Sequence, residues 1–142
     1  MTVRAILDLK GRDVVVIAPD KTLADAALLL SENRIGALVV TVGERVSGIL
    51  SERDIVRAVA RDGAAALTNK VSDKMTGTVV TCGPQDTMAA VMNRMTAGRF
   101  RHLPVVDNGR LSGIVSIGDV VKFRLAEIER ESSMLRDYIM TA

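Results

Sequence analysis

Two stretches of the chain carry a hydroxyl and a carboxylate at the same spacing: Gly48-Ile49-Leu50-Ser51-Glu52-Arg53-Asp54 and Gly113-Ile114-Val115-Ser116-Ile117-Gly118-Asp119. Each reads Gly-apolar-x-Ser-x-x-Asp. At the start of a helix, Ser-x-x-Asp is a capping box, in which the hydroxyl accepts from the third amide and the carboxylate accepts from the amide of the serine. The same atoms have a second use. Where a helix starts just after a Gly-marked strand end, its free amides and the hydroxyl can meet a phosphate. A carboxylate one turn in can then accept both hydroxyls of a ribose. The two uses are compatible, and the full pattern recurs.

Basic residues stand close by. Arg99-Phe100-Arg101-His102 occupies the place that Arg34-Ile35-Gly36-Ala37 holds in the first stretch. These are either a solvated pair of arginines and a strand histidine, or the groups that neutralise a charged phosphate tail, for which guanidinium is suited. Arg53 either reaches such a phosphate or lies on an exposed helix face. Gly36 and Ala37 offer no side-chain donor, so the two stretches are expected to differ in ligand or occupancy. The half bearing Arg99, Arg101, His102, Ser116 and Asp119 is expected to be the better nucleotide site, and that of Ser51 and Asp54 different or empty.

Catalysis finds no support. The chain has no His-Glu-x-x-His, no Walker loop, and a single histidine as possible base. Cys82 is the only cysteine, so neither a disulfide nor a thiolate zinc site forms within one chain. The methionines, Met75, Met88, Met92, Met95, Met134 and Met140, are read as filling for core and interface.

The elements that position these residues follow from a repeat. A shift of 65 positions aligns Pro19 with Pro84 without a gap from Val14 to Val59 and superposes Thr22/Thr87, Arg34/Arg99, Leu38/Leu103, Gly48/Gly113, Ser51/Ser116 and Asp54/Asp119. In each copy a β-branched run (Val14 to Ile17, Val79 to Cys82) meets a proline turn, and Thr22 or Thr87 then caps a helix. The stripes Leu23, Ala26, Ala27, Leu30 and Met88, Val91, Met92, Met95 mark the apolar faces of these helices. Asn33 and Gly98 are placed as left-handed C-terminal caps. Two apolar runs joined at Gly43 or Asn108-Gly109 form a hairpin, and a last helix begins at Ser51 or Ser116. The fold is α+β, with two β-α-β-β-α units covering each other's bare sheet faces about a pseudo-two-fold axis. Residues 1–62 form the first unit with an N-terminal segment, 63–77 a linker with a turn and a short helix, and 78–142 the second unit with a long C-terminal helix.

From about Val14 to Phe123 the sequence resembles the CBS-domain family, and specifically the paired modules called Bateman modules. The likeness rests on the repeat order, the two Gly-Ile-x-Ser-x-x-Asp strings, Leu103-Pro104-Val105-Val106, and Val71-Ser72-Asp73-Lys74-Met75-Thr76. It implies two clefts for adenosyl ligands (AMP, ADP, ATP, or NAD(H) as in some bacterial two-repeat proteins), with AMP first among them. It also implies ribose held at Asp54 and Asp119, phosphate beside Ser51 and Ser116, Arg99, Arg101 and His102 on phosphates, and Pro104 against adenine. No catalytic cofactor is implied. Paired modules of this family commonly associate as homodimers.

Nineteen basic and 17 acidic residues are interleaved to a net charge of +2, with Phe100, Phe123 and Tyr138 as the only aromatics. That pattern supplies neither the field nor the stacking platforms of a nucleic-acid binder. No stretch reaches the roughly 20 apolar residues of a membrane span, and Arg4, Asp8 and Lys10 spoil a secretory leader. A cytoplasmic protein is expected. From Ser116 a helix is expected to run almost to Tyr138, with Val121, Leu125, Ile128, Leu135 and Ile139 as a heptad stripe broken at Ser132 and suited to a homodimer. The leading expectation is a regulatory nucleotide sensor acting on another protein. A structural dimerisation unit with vestigial clefts and a nucleotide-hydrolysing enzyme are the alternatives.

Overall fold

The computed structural model describes residues 1–141; Ala142, the last residue of the second unit, lies outside them. The elements are α1 (Val3–Lys10), β1 (Val16–Ile17), α2 (Leu23–Asn33), β2 (Ala37–Val42), β3 (Arg45–Ser51), α3 (Glu52–Asp62), a 3-10 helix (Gly63–Thr68), α4 (Val71–Lys74), α5 (Met88–Gly98), β4 (His102–Asp107), β5 (Arg110–Ser116) and α6 (Ile117–Thr141). β1 runs parallel to β2, and β2 antiparallel to β3. In the second repeat β4 and β5 repeat the antiparallel hairpin, with the same irregularity one residue past its middle.

The expected first strand of the second repeat, Val79 to Cys82, shrinks to one parallel bridge, Cys82 to Val105. The cause is Pro104. In the first repeat the Val39 N–H donates to Val15 O at 3.4 Å. The equivalent donor belongs to position 104, and proline has no N–H to extend the ladder toward Val80.

The helices α2 and α5 follow their stripes, with Leu23, Ala26 and Leu30 buried in one and Met88, Val91 and Met95 in the other. Met92 is the exception, 39% exposed. The left-handed caps fall one residue later than expected. Arg34 (φ 53°) and Arg99 (φ 57°) adopt that conformation, while Asn33 and Gly98 remain helical. Both caps are closed by the next amide, Ile35 N to Leu30 O and Phe100 N to Met95 O, each 3.1 Å. Gly98 is instead needed for space, because a Cβ there would overlap the Phe100 ring.

Two cores result, and the N-terminal helix joins the second. Val3, Ile6 and Leu7 are buried with Met88, Val91, Met95, Leu103, Val115 and Phe123. The first core takes Ile17, Leu23, Leu38, Leu50, Ile55 and, from α4, Val71. The two docking modes match. Val71 N donates to Lys21 O (2.7 Å), Ser72 N to Pro19 O (3.0 Å) and Leu23 N to Asn69 O (2.9 Å). Val3 N donates to Asp86 O (2.9 Å), Arg4 N to Pro84 O (2.9 Å) and Met88 N to Met1 O (3.1 Å). The segment ahead of each repeat in sequence therefore closes the other repeat in space. Between the sheets, Leu111 N donates to Glu44 O at 2.9 Å.

Candidate functional site

Ser51 and Ser116 both stand at the switch from strand to helix. Ser51 is extended (φ −103°, ψ 161°), and its Oγ accepts from Asp54 N at 3.3 Å while Asp54 Oδ2 accepts from Ser51 N at 2.9 Å. Ser116 and Asp119 repeat the box at 3.1 and 2.9 Å. The capping role expected of both strings is therefore realised, and it leaves each carboxylate at the mouth of a cleft.

Each cleft takes its helix start from one repeat and its strand-entry loop from the other, because the repeats pack face to face around Gly36 and His102, which line both clefts. The first, about 680 Å³, gathers Ser51, Arg53, Asp54 and Arg57 opposite Arg99, Phe100 and Arg101. The second, about 270 Å³, sets Ser116, Asp119 and Lys10 opposite Ile35, Gly36 and Ala37. Arg99 and Arg101, expected beside Ser116 and Asp119, thus face Asp54 instead. Small-molecule sites usually enclose about 300–1,000 Å³. The Asp54 cleft falls in that range and the Asp119 cleft just below it.

The electrostatics separate the clefts further. Lys10 Nζ lies 2.5 Å from Asp119 Oδ2 and 2.8 Å from Ile114 O. Burial would raise the Asp119 carboxyl, but the bonds from Lys10 and Ser116 outweigh it and hold it below the ordinary carboxylate range. Among the described residues no lysine or arginine forms a salt bridge with Asp54. The difference traces to the edge of the sheets. Ile49 exchanges two backbone bonds with Thr76 (3.1 and 2.9 Å), whereas the matching Ile114 carbonyl is met by the Lys10 ammonium. His102, half-buried between the clefts, is held below its usual value by burial, with Lys10 and Arg101 acting in the same direction and Asp119 and Glu52 against it.

Pro104 is buried within β4 and lines neither cleft. Arg53 does reach the Asp54 cleft. Sequence reasoning missed Lys10 and Arg57. Arg57 was recoverable, since it follows Asp54 by three residues and so shares its helix face. Lys10 had no local signal, because its partner lies more than 100 residues away. Among the described residues, no group of His, Cys, Asp and Glu side chains is placed to hold a metal ion, and no helix is long and apolar enough to cross a membrane.

The architecture has close counterparts. A CBS-domain containing protein from Agrobacterium tumefaciens superposes with a TM-score of 0.84 at 53% identity, covering 87% of this chain and 99% of that one. A CBS domain protein from Pyrobaculum aerophilum, solved in complex with AMP, superposes with a TM-score of 0.76 at 29% identity, covering 84% and 89%. The mitochondrial CBS domain-containing protein CBSX3 of Arabidopsis thaliana is 37% identical over 125 residues, which are 84% of this chain but only 61% of that protein. The CBS domain model matches twice, over residues 6–61 and 71–126, one match for each repeat. With both repeats matched and the paired fold reproduced, the chain belongs to the CBS-domain family, as a tandem pair.

Proposed function

We propose that this CBS pair is a regulatory adenine-nucleotide-binding module, and that its principal site is the Asp54 cleft. The observation that carries the reading is that four arginines, Arg53, Arg57, Arg99 and Arg101, line one cleft of about 680 Å³ together with the Ser51–Asp54 helix start. Asp54 would accept the ribose hydroxyls, and the arginines would neutralise the phosphates in bidentate fashion. That the Pyrobaculum relative was solved with AMP supports an adenosyl ligand. AMP, ADP, ATP and NAD(H) all offer the required ribose and phosphate. Binding would change the relative pose of the two repeats, which a protein partner acting in trans would read, provided the ligand prefers one pose. No catalytic step is assigned.

Calorimetry and thermal shift with AMP, ADP, ATP, NAD, NADH and S-adenosylmethionine test the reading. The expected result is binding of at least one of these, weakened about tenfold to a hundredfold by Asp54→Ala, the range for losing hydrogen bonds to a charged group. Silence of every ligand, or binding indifferent to Asp54→Ala, overturns it.

A further inference from the structure

Only the first part of α6 touches the body of the protein. Val120 and Phe123 are buried and the Glu127 side chain is 17% exposed. On another face Val121, Leu125, Ile128, Leu135 and Ile139 stand 46 to 65% exposed. At about 100° per residue the two rows lie roughly 125° apart round the helix. The outer row is therefore turned away from the chain's own core. With Ser132 it alternates steps of four and three residues, the a and d places of a heptad, for nearly three heptads. An exposed apolar stripe of this length, interrupted only at Ser132, marks an interaction surface.

We propose that α6 pairs with α6 of a second copy of this chain as a parallel two-stranded coiled coil along Val121, Leu125, Ile128, Ser132, Leu135 and Ile139. The flanking charges carry the choice of partner and direction. In this register Glu129 and Arg136 occupy e places, and Arg124 and Glu131 occupy g places. A parallel pair sets each g residue against the e residue five positions on in the other chain, giving Arg124 with Glu129 and Glu131 with Arg136, each twice by symmetry. The antiparallel pairing that overlaps the whole seam sets Glu129 against Glu129 and Glu131 against Glu131. Among the described residues only Arg124 of these four has an intrachain ion partner, Glu127 at 3.0 Å, and the Arg124 side chain itself is 44% exposed. Ser132 at a central a place weakens the seam without breaking its spacing. A membrane-surface helix would carry a basic polar face. Here positions 124 to 137 hold three arginines against four carboxylates. The pairing stands on α6 alone and does not depend on what the clefts bind.

The test uses the full chain bearing Ser132→Cys or, as control, Ser133→Cys, which lies outside the seam. Cys82 is 3% exposed and its thiol is pushed up to about 11, so it stays silent. Under mild oxidation Ser132→Cys is expected to give a disulfide-linked dimer at least tenfold faster than Ser133→Cys. In sedimentation, Glu131→Arg is expected to weaken the dimer on the order of fivefold, and Glu131→Arg with Arg136→Glu to restore it. Equal cross-linking rates, or a double variant as weak as the single, overturn the proposal. So does a wild-type chain that sediments as a monomer, whether it stays free or co-pellets with phosphatidylglycerol vesicles.

Discussion

The ammonium of Lys10, at the end of α1, lies 2.5 Å from the carboxylate of Asp119, the first turn of α6. Within the proposed reading, that lysine occupies the place where ribose hydroxyls would sit. A ligand entering the Asp119 cleft must displace it, and the pair is one-quarter to one-fifth exposed, so the competition costs about 1 kcal/mol, or severalfold in affinity. Lys10→Ala is expected to raise calorimetric stoichiometry from one nucleotide per chain toward two, leaving the first site's affinity within about twofold. An unchanged stoichiometry counts against this role for Lys10.

The two capping boxes make a paired expectation on stability. Ser51→Ala and Ser116→Ala should each cost about 1 kcal/mol in chemical denaturation, through loss of a helix N-cap. Ser51→Thr keeps the hydroxyl and should stay within about 0.5 kcal/mol of the wild type. A cost near zero for both alanine variants would mean that the backbone amides at these helix starts are satisfied by water.

Much of the fold was legible because the duplication is ungapped, so a cap or hairpin read in one copy could be checked in the other. The exceptions are places where a long-range partner decides. Pro104 reads as a strand residue, yet the ladder it cuts short is visible only when Val39 N is seen donating to Val15. Val3 to Leu7 matches the α4 segment only at an offset of 68 rather than 65, with Val3/Val71 identical and Leu7 standing for Met75. The site was half legible for the same reason. The two helix starts stood out in the sequence, but the placing of Arg99 and Arg101 in the same cleft as Asp54 follows from how the repeats face each other, which periodicity does not encode.

Glycines 48 and 113 are equivalent by repeat but not by environment. A Cβ on Gly113 would lie 2.8 Å from a methyl of buried Leu7, and one on Gly48 would lie 2.5 Å from Met75 Sδ and 2.9 Å from the Thr76 carbonyl oxygen. A backbone carbonyl gives way less readily than a side chain. Gly48→Ala is expected to cost about 3 kcal/mol and Gly113→Ala about 1–2 kcal/mol, measured as the shift in urea midpoint at constant m. The reverse order would show that α1 is the more rigid neighbour.

His102 gives opposite pH dependences to stability and binding. Its folded value is depressed, so below about 6.5 the unfolded chain binds more protons than the native one at this position, and the ligand-free protein loses stability as pH falls. A phosphate held between Arg101 and His102 would favour the charged imidazole, so binding should take up a proton. Nucleotide affinity should therefore rise severalfold from pH 7.5 to 6, and His102→Asn should flatten the rise. Calorimetry in two buffers of different ionisation enthalpy reads the proton directly.

The thiol of Cys82 is pushed up to about 11, chiefly by burial in the second core, with Asp86 adding to it. A neutral-pH maleimide is expected to label the native chain at least a hundredfold more slowly than the urea-unfolded chain. Fast labelling of the native chain would mean that the short bridge to Val105 opens locally.

The crossed docking of α1 and α4 bears on how the chain reaches its native state. Residues at position 1 and position 88 must meet before the second core closes, so that core depends on loop closure across most of the sequence, a source of slow folding. Because α4 completes the first repeat and α1 the second, a cut between the repeats would strip a closing segment from each. Two look-alike halves should therefore melt in a single cooperative transition. Shortening the chain at that junction would strain the crossed closure and favour exchange of whole repeats between neighbouring copies.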